Sequence, residues 1–95
     1  MKLDHVAIVV EDIEETIEWY QSNFDARVNY VDKTWASIRV GDTNISFVLK
    51  DMHPMHIAFD YTGTPCNSDK KHRDGSRYEY LTDPSGNVIE KIWWE

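Results

Sequence analysis

The chain is 95 residues long, enough for one small domain. Acidic residues outnumber basic ones 17 to 10, giving a net charge of −7 with no visible basic patch, which argues against nucleic acid and anionic membranes as partners. No apolar run approaches membrane-spanning length, Met1-Lys2-Leu3-Asp4 is not a secretory start, and the lone Cys66 excludes an internal disulfide framework, so a cytoplasmic protein is expected.

Residues 2–10 read as a strand. Val6, Ala7, Ile8, Val9 and Val10 are apolar without a break, which predicts cover on both faces. His5 lies on the face that carries Leu3, Ala7 and Val9. Residues 12–23 read as a helix. Asp12 is its N-cap candidate and Glu15 the capping-box partner, and acidic residues crowd the start, where the helix dipole favours them. Ile13, Ile17, Tyr20 and Phe24 recur at helical spacing and predict one buried stripe, with Trp19 at its edge.

Three strands are predicted next: residues 27–32, 35–40 and 43–50, the last two joined through Gly41-Asp42. Asp51 to Pro54 makes a connection, because proline interrupts a ladder. The pattern then restarts. Met55-His56-Ile57-Ala58-Phe59 mirrors Asp4-His5-Val6-Ala7-Ile8 at an offset of 51 residues. Residues 61–75 are polar, rich in turn formers and without a helical stripe. Residues 77–82 read as a strand. Asp83-Pro84-Ser85-Gly86 is a tight turn, and residues 88–94 form the last strand.

Two units follow from this order, residues 1–51 as a complete βαβββ unit and 52–95 as a shortened copy. Ser46 and Glu90 occupy matching places in the last strand of each unit but are only 44 residues apart. The second unit has therefore lost most of a helix, and a loop is expected in its place.

His5, His56 and Glu90 each fall inside a predicted strand. Two imidazoles and one carboxylate form a metal-ligand set with open coordination positions. A lone strand histidine is more often a core or surface residue, and a lone strand glutamate is more often solvated. The repeat is what sets these apart, because it puts both histidines on equivalent positions. If the units pair around a pseudo-twofold, the histidines face a shared concavity, and an ion there would compensate Glu90.

With those motifs in view, the sequence resembles the vicinal oxygen chelate superfamily, which includes glyoxalase I, fosfomycin-resistance proteins, extradiol dioxygenases and bleomycin-resistance proteins. The carrying residues are Leu3 to Ile8, Met55 to Phe59 and Asp83 to Glu90. The resemblance implies an α+β fold of paired βαβββ units forming an incomplete barrel around a metal. It carries His5, His56 and Glu90 onto ligand positions for a divalent ion, whether Fe, Mn, Zn, Ni or Co. A further glyoxalase I ligand position falls on Ser46, or on Val48 if the register slips, and neither is a good ligand. The run Tyr80-Leu81-Thr82-Asp83-Pro84-Ser85-Gly86-Asn87-Val88-Ile89-Glu90 is similar to the second half of the extradiol signature, with His72 upstream. By that likeness Tyr80 donates to a metal-bound substrate oxygen and His72 acts as an acid or base. Read blandly, Tyr80 is a barrel-lining aromatic and His72 a loop histidine.

The expected function is a metal-dependent enzyme acting on a small substrate with vicinal oxygens, of isomerase, lyase, transferase or extradiol dioxygenase type. Trp35, Phe47, Tyr78, Tyr80 and Trp94 are candidates to shape its pocket. The alternatives are a metal-free ligand-sequestering protein of the bleomycin-resistance type and a degenerate non-catalytic member. The shortened second unit leads us to expect apolar surface that a homodimer covers.

Overall fold

A computed structural model describes residues 1–94. The fold is α+β, with one helix and seven strands among the described residues. Two compact units divide the described residues, one comprising residues 5–55, the other residues 1–4 and 56–94.

In the first unit, strand β1 (Lys2–Val10) leads to helix α1 (Ile13–Asn23). The helix starts where the sequence places its cap. Asp12 is extended, and its side chain accepts the Glu15 backbone N–H at 2.8 Å. The helix ends at Phe24, which is extended and donates its backbone N–H to the Tyr20 carbonyl at 2.9 Å. Strands β2 (Ala26–Val31), β3 (Trp35–Val40) and β4 (Thr43–Leu49) follow as an antiparallel meander, and β4 runs parallel to β1, giving the order β2-β3-β4-β1. Gly41, at φ 59°, supplies the left-handed residue that the β3–β4 hairpin turn needs.

The core of this unit lies between α1 and one sheet face. Ile13 and Ile17 pack on Ala36, Ile38 and Phe47, with Ile8, Val10 and Tyr20 at the margin. Burying side chains of this size contributes about 1.5–3 kcal/mol each. Two expectations change here. Val9, inside the apolar run, remains 37% exposed, because α1 packs on the face that carries Ile8 and Val10. Phe24 is 49% exposed because it sits past the helix end, where its ring packs at a tilt against Trp19 and Tyr20.

The second unit holds β5 (His56–Asp60), β6 (Arg77–Thr82) and β7 (Val88–Trp93) in the order β5-β7-β6. Strand β5 is parallel to β7, and β6 is antiparallel to it. Residues 61–76 between β5 and β6 contain no helix, as the missing stripe predicts.

The repeat reappears in the registers. Ala7 pairs with Ser46 in the first unit, and Ala58 pairs with Glu90 in the second. Ala7 and Ala58 are the residues that the sequence offset equates, so each unit is built on the same β1–β4 or β5–β7 parallel pair.

Candidate metal centre

The last turn fixes the position of Glu90. Asp83 Oδ1 accepts the Ser85 N–H at 2.9 Å and the Asn87 N–H at 2.8 Å, while Asn87 Nδ2 donates to Oδ2 at 3.0 Å. The Asp83 N–H donates to the Asn87 carbonyl at 2.9 Å, and Gly86 takes φ 87°. The Asn87 side-chain bond, then its backbone N–H, hold the Asp83 carboxyl below its ordinary value. Strand β7 therefore starts in a set register. A slip of one residue would move Glu90 to the other face.

On β7, Val88, Glu90 and Ile92 share one face by strand alternation. Glu90 is 1% exposed, opposite Ala58 on one side and Tyr80 on the other. Small Ala58 leaves room for the carboxylate, which meets two imidazoles. His56 Nε2 is 3.4 Å from Oε1, and His72 Nε2 is 2.6 Å from Oε2. His56 is buried, and His72 is partly exposed. The Tyr80 ring meets His56 edge-on at 5.5 Å, and Tyr78 stacks on His72 at 3.9 Å with an 11° angle. Burial first, and then the nearby Glu90 charge, push the Tyr80 phenol well above its ordinary value, so it stays protonated and able to donate.

Of the residues singled out in the sequence, His56, His72, Tyr80 and Glu90 thus stand together within this unit. His5 is a half-buried residue of β1 in the other unit. Ser46 is buried on β4, at the place equivalent to Glu90. The expected pocket aromatics divide. Phe47 is fully buried beneath α1, because it alternates with Ser46 and so faces away from it. Trp35 stacks on Tyr30 at 4.4 Å in the first unit, and Trp94 donates its indole N–H to Asp4 at 2.8 Å.

Sequence reasoning missed the mount of His72. Its backbone N–H donates to the Ser76 carbonyl at 2.8 Å, and its carbonyl accepts from Gly75 at 3.0 Å. Asp74 Oδ1 takes the Ser76 N–H and hydroxyl at 2.8 and 2.6 Å. The Asp74-Gly75-Ser76 run was the available signal, since Asp and Ser build such turns.

The donor set suits a divalent transition ion, with imidazole nitrogens beside a buried carboxylate. Two ligand atoms each about 2.1 Å from one ion lie roughly 3.0–3.4 Å apart at octahedral to tetrahedral angles. The 3.4 Å between His56 Nε2 and Glu90 Oε1 has that spacing.

The family model described as the Glyoxalase/Bleomycin resistance protein/Dioxygenase superfamily matches residues 2–66. The chain belongs to that superfamily. Solved structures similar to this superfamily member include a glyoxalase/bleomycin resistance protein/dioxygenase from Alicyclobacillus acidocaldarius, at 18% identity and TM-score 0.47, covering 98% of this chain and 91% of the other. The genomically encoded fosfomycin resistance protein FosX from Listeria monocytogenes, solved with Mn(II) and sulfate, has 17% identity and TM-score 0.48, covering 98% and 90%. A bleomycin-binding protein complexed with bleomycin has 13% identity and TM-score 0.46, covering 100% of each chain. No curated protein matches the sequence. Among the described residues, no helix is long and apolar enough to cross a membrane.

Proposed function

We propose that the chain is a divalent-metal-dependent enzyme acting on a small substrate with vicinal oxygens, and that His5, His56 and Glu90 hold the ion. The observation that carries this reading is Glu90. It is a carboxylate 1% exposed, with one oxygen at ligand spacing from the buried His56. A charge buried so deeply costs several kcal/mol (about that much per ion) unless it is compensated, and a divalent cation compensates it. The support for His5 is the repeat, which sets it at the place on β1 that His56 takes on β5. Matching registers in the two units support that equivalence.

When bound, a divalent Fe, Mn, Zn, Ni or Co ion supplies Lewis-acid stabilisation of enolate or alkoxide charge on substrate oxygens. The chain's own residues do the rest. Glu90 and His56 fix where the substrate oxygens are presented. The protonated Tyr80 phenol donates a hydrogen bond to one of them and holds it in line. Tyr78 and Tyr80, 5.2 Å apart, form the aromatic wall that restricts water. Ser46, at the place equivalent to Glu90, offers no strong ligand and would leave the ion to His5, His56, Glu90 and substrate. The reaction classes that fit are isomerisation, lyase chemistry, group transfer and extradiol ring cleavage.

We place this enzyme in the cytoplasm as a homodimer. Support for the dimer is the edge strand β2, where Val28, Tyr30 and Val31 are 39%, 42% and 48% exposed. Sedimentation at micromolar concentration is expected to give a dimer, and a monomer would refute that assignment.

Elemental analysis of protein purified without a metal-affinity tag tests the metal reading. One ion per chain is expected. Protein that contains no metal and takes up none of the five ions would overturn it in favour of a ligand-sequestering or non-catalytic protein.

A further inference from the structure

The segment that stands where the first unit has its helix does more than connect two strands. Residues 61–76 deliver one imidazole to the buried carboxylate and hold it from several sides. Lys71 bridges to Arg77, the Tyr78 N–H donates to the Lys70 carbonyl at 3.1 Å, and the Ser68 hydroxyl donates to the Tyr78 carbonyl. The same Tyr78 presents its ring face to His72. Thus the loop is pinned to β6 along its second half, and the His72 ring has a flat wall behind it.

The two Glu90 oxygens are treated differently. Oε1 lies 3.4 Å from His56 Nε2, a ligand–ligand spacing. Oε2 lies 2.6 Å from His72 Nε2, a charge-assisted hydrogen-bond distance shorter than two ligands of one ion adopt. We propose that His72 is a positioning residue, which holds Glu90 Oε2 and leaves Oε1 as the one carboxylate oxygen offered to the ion. The inference rests on the metal reading above. With its proton on Nε2, the ring donates to Oε2, sets the carboxylate plane and prevents both oxygens from closing on the ion. Outer partners of this kind change metal affinity by about 10–100-fold. His72 in this role touches neither the ion nor the substrate. The loop that replaced the helix has then taken on the orientation of a ligand.

The test uses the full chain, with Co(II) as the probe metal. Wild type, His72→Ala and His72→Gln are titrated with Co(II), and the bound ion is characterised by X-ray absorption. Wild type is expected to bind with a monodentate carboxylate. His72→Ala is expected to bind about 10–100-fold more weakly and to gain one oxygen neighbour as the released Oε2 closes on the ion. The Gln amide N–H replaces the donor, so His72→Gln should recover most of the affinity and the wild-type coordination number. Equal affinity and an unchanged coordination number in His72→Ala would overturn the positioning role while leaving the metal reading intact. A Gln variant that behaves like Ala would also overturn it. Wild type that binds no Co(II) would overturn both.

Discussion

Replacing His56 with alanine removes the imidazole whose Nε2 lies 3.4 Å from Glu90 Oε1. If that spacing exists to share an ion, the main effect is on metal-induced stability. A ligand that binds only the folded state at 100 times its Kd stabilises by about 2.7 kcal/mol. For a chain of this size, each kcal/mol moves Tm by roughly 4–8 °C, so wild type should gain roughly 11–22 °C at that metal concentration. Losing a direct ligand costs at least the roughly 100-fold known for outer partners. At the same metal concentration the variant then gains only about 0.4 kcal/mol, or roughly 2–3 °C. The assay is a thermal melt with and without metal, each protein compared with its own metal-free baseline. That design separates the lost ligand from any structural cost of truncating a buried side chain. A variant that keeps the wild-type metal shift and stoichiometric uptake would refute the assignment of His56.

Other substitutions address the turn, the core and the phenol. The Asp83 carboxyl is held below its ordinary value chiefly by the Asn87 side chain, so the carboxylate form stabilises the fold above the unfolded pKa, and that contribution disappears as pH falls through the lower folded value. Melts at successive pH values below about 4 should show wild type losing stability faster than Asp83→Asn, and parallel curves would contradict the turn assignment. Ile38→Ala, in a fully buried position, should cost about 2–5 kcal/mol in a denaturant melt. Tyr80→Phe should leave metal stoichiometry unchanged, and its phenolate absorbance should differ from wild type only above about pH 10, because burial keeps this phenol protonated. A difference appearing at or below about pH 10 would mean that burial does not hold the Tyr80 phenol above its ordinary value.

Local patterns made most of the elements legible. The Asp12 cap, the Gly41 turn and the Asp83-to-Gly86 turn are short-range chemistry, and each forms where the residues place it. The missing stripe in residues 61–75 correctly implied a loop, because without a helical period there is no face to bury. What stayed hidden was long-range. Nothing in the spacing of His72 and Glu90 says that their side chains meet, since a loop without periodicity can deliver a residue anywhere. Phe47 illustrates a different failure. Its neighbour Ser46 matches Glu90, so strand alternation already pointed Phe47 the other way, into the α1 core. Exposed Val9 shows that a continuous apolar run does not guarantee cover at every position of both faces.

The missing helix also has an energetic consequence within the second unit. Among the described residues, its buried apolar side chains are Ala58, Ile92 and Trp93, whereas the first unit has Ile13, Ile17, Ala36, Ile38, Phe47 and Val48 as well as Ala7. The second unit also buries Glu90, His56 and Ser76, polar groups that add little hydrophobic stabilisation. A unit with so small a core needs another source of stability, and small domains often obtain it from a metal, whose binding free energy becomes folding free energy. Metal should therefore protect β5 and β7 amides more than α1 amides in native-state hydrogen exchange. At 100 times Kd, the extra 2.7 kcal/mol or so corresponds to roughly a hundredfold slower exchange for amides that open only with the site. The α1 amides, anchored in their own core, should slow far less. Equal slowing throughout would mean that both units open together and the ion does not selectively support the second. No slowing in either unit, with metal bound, would remove the stabilising role altogether.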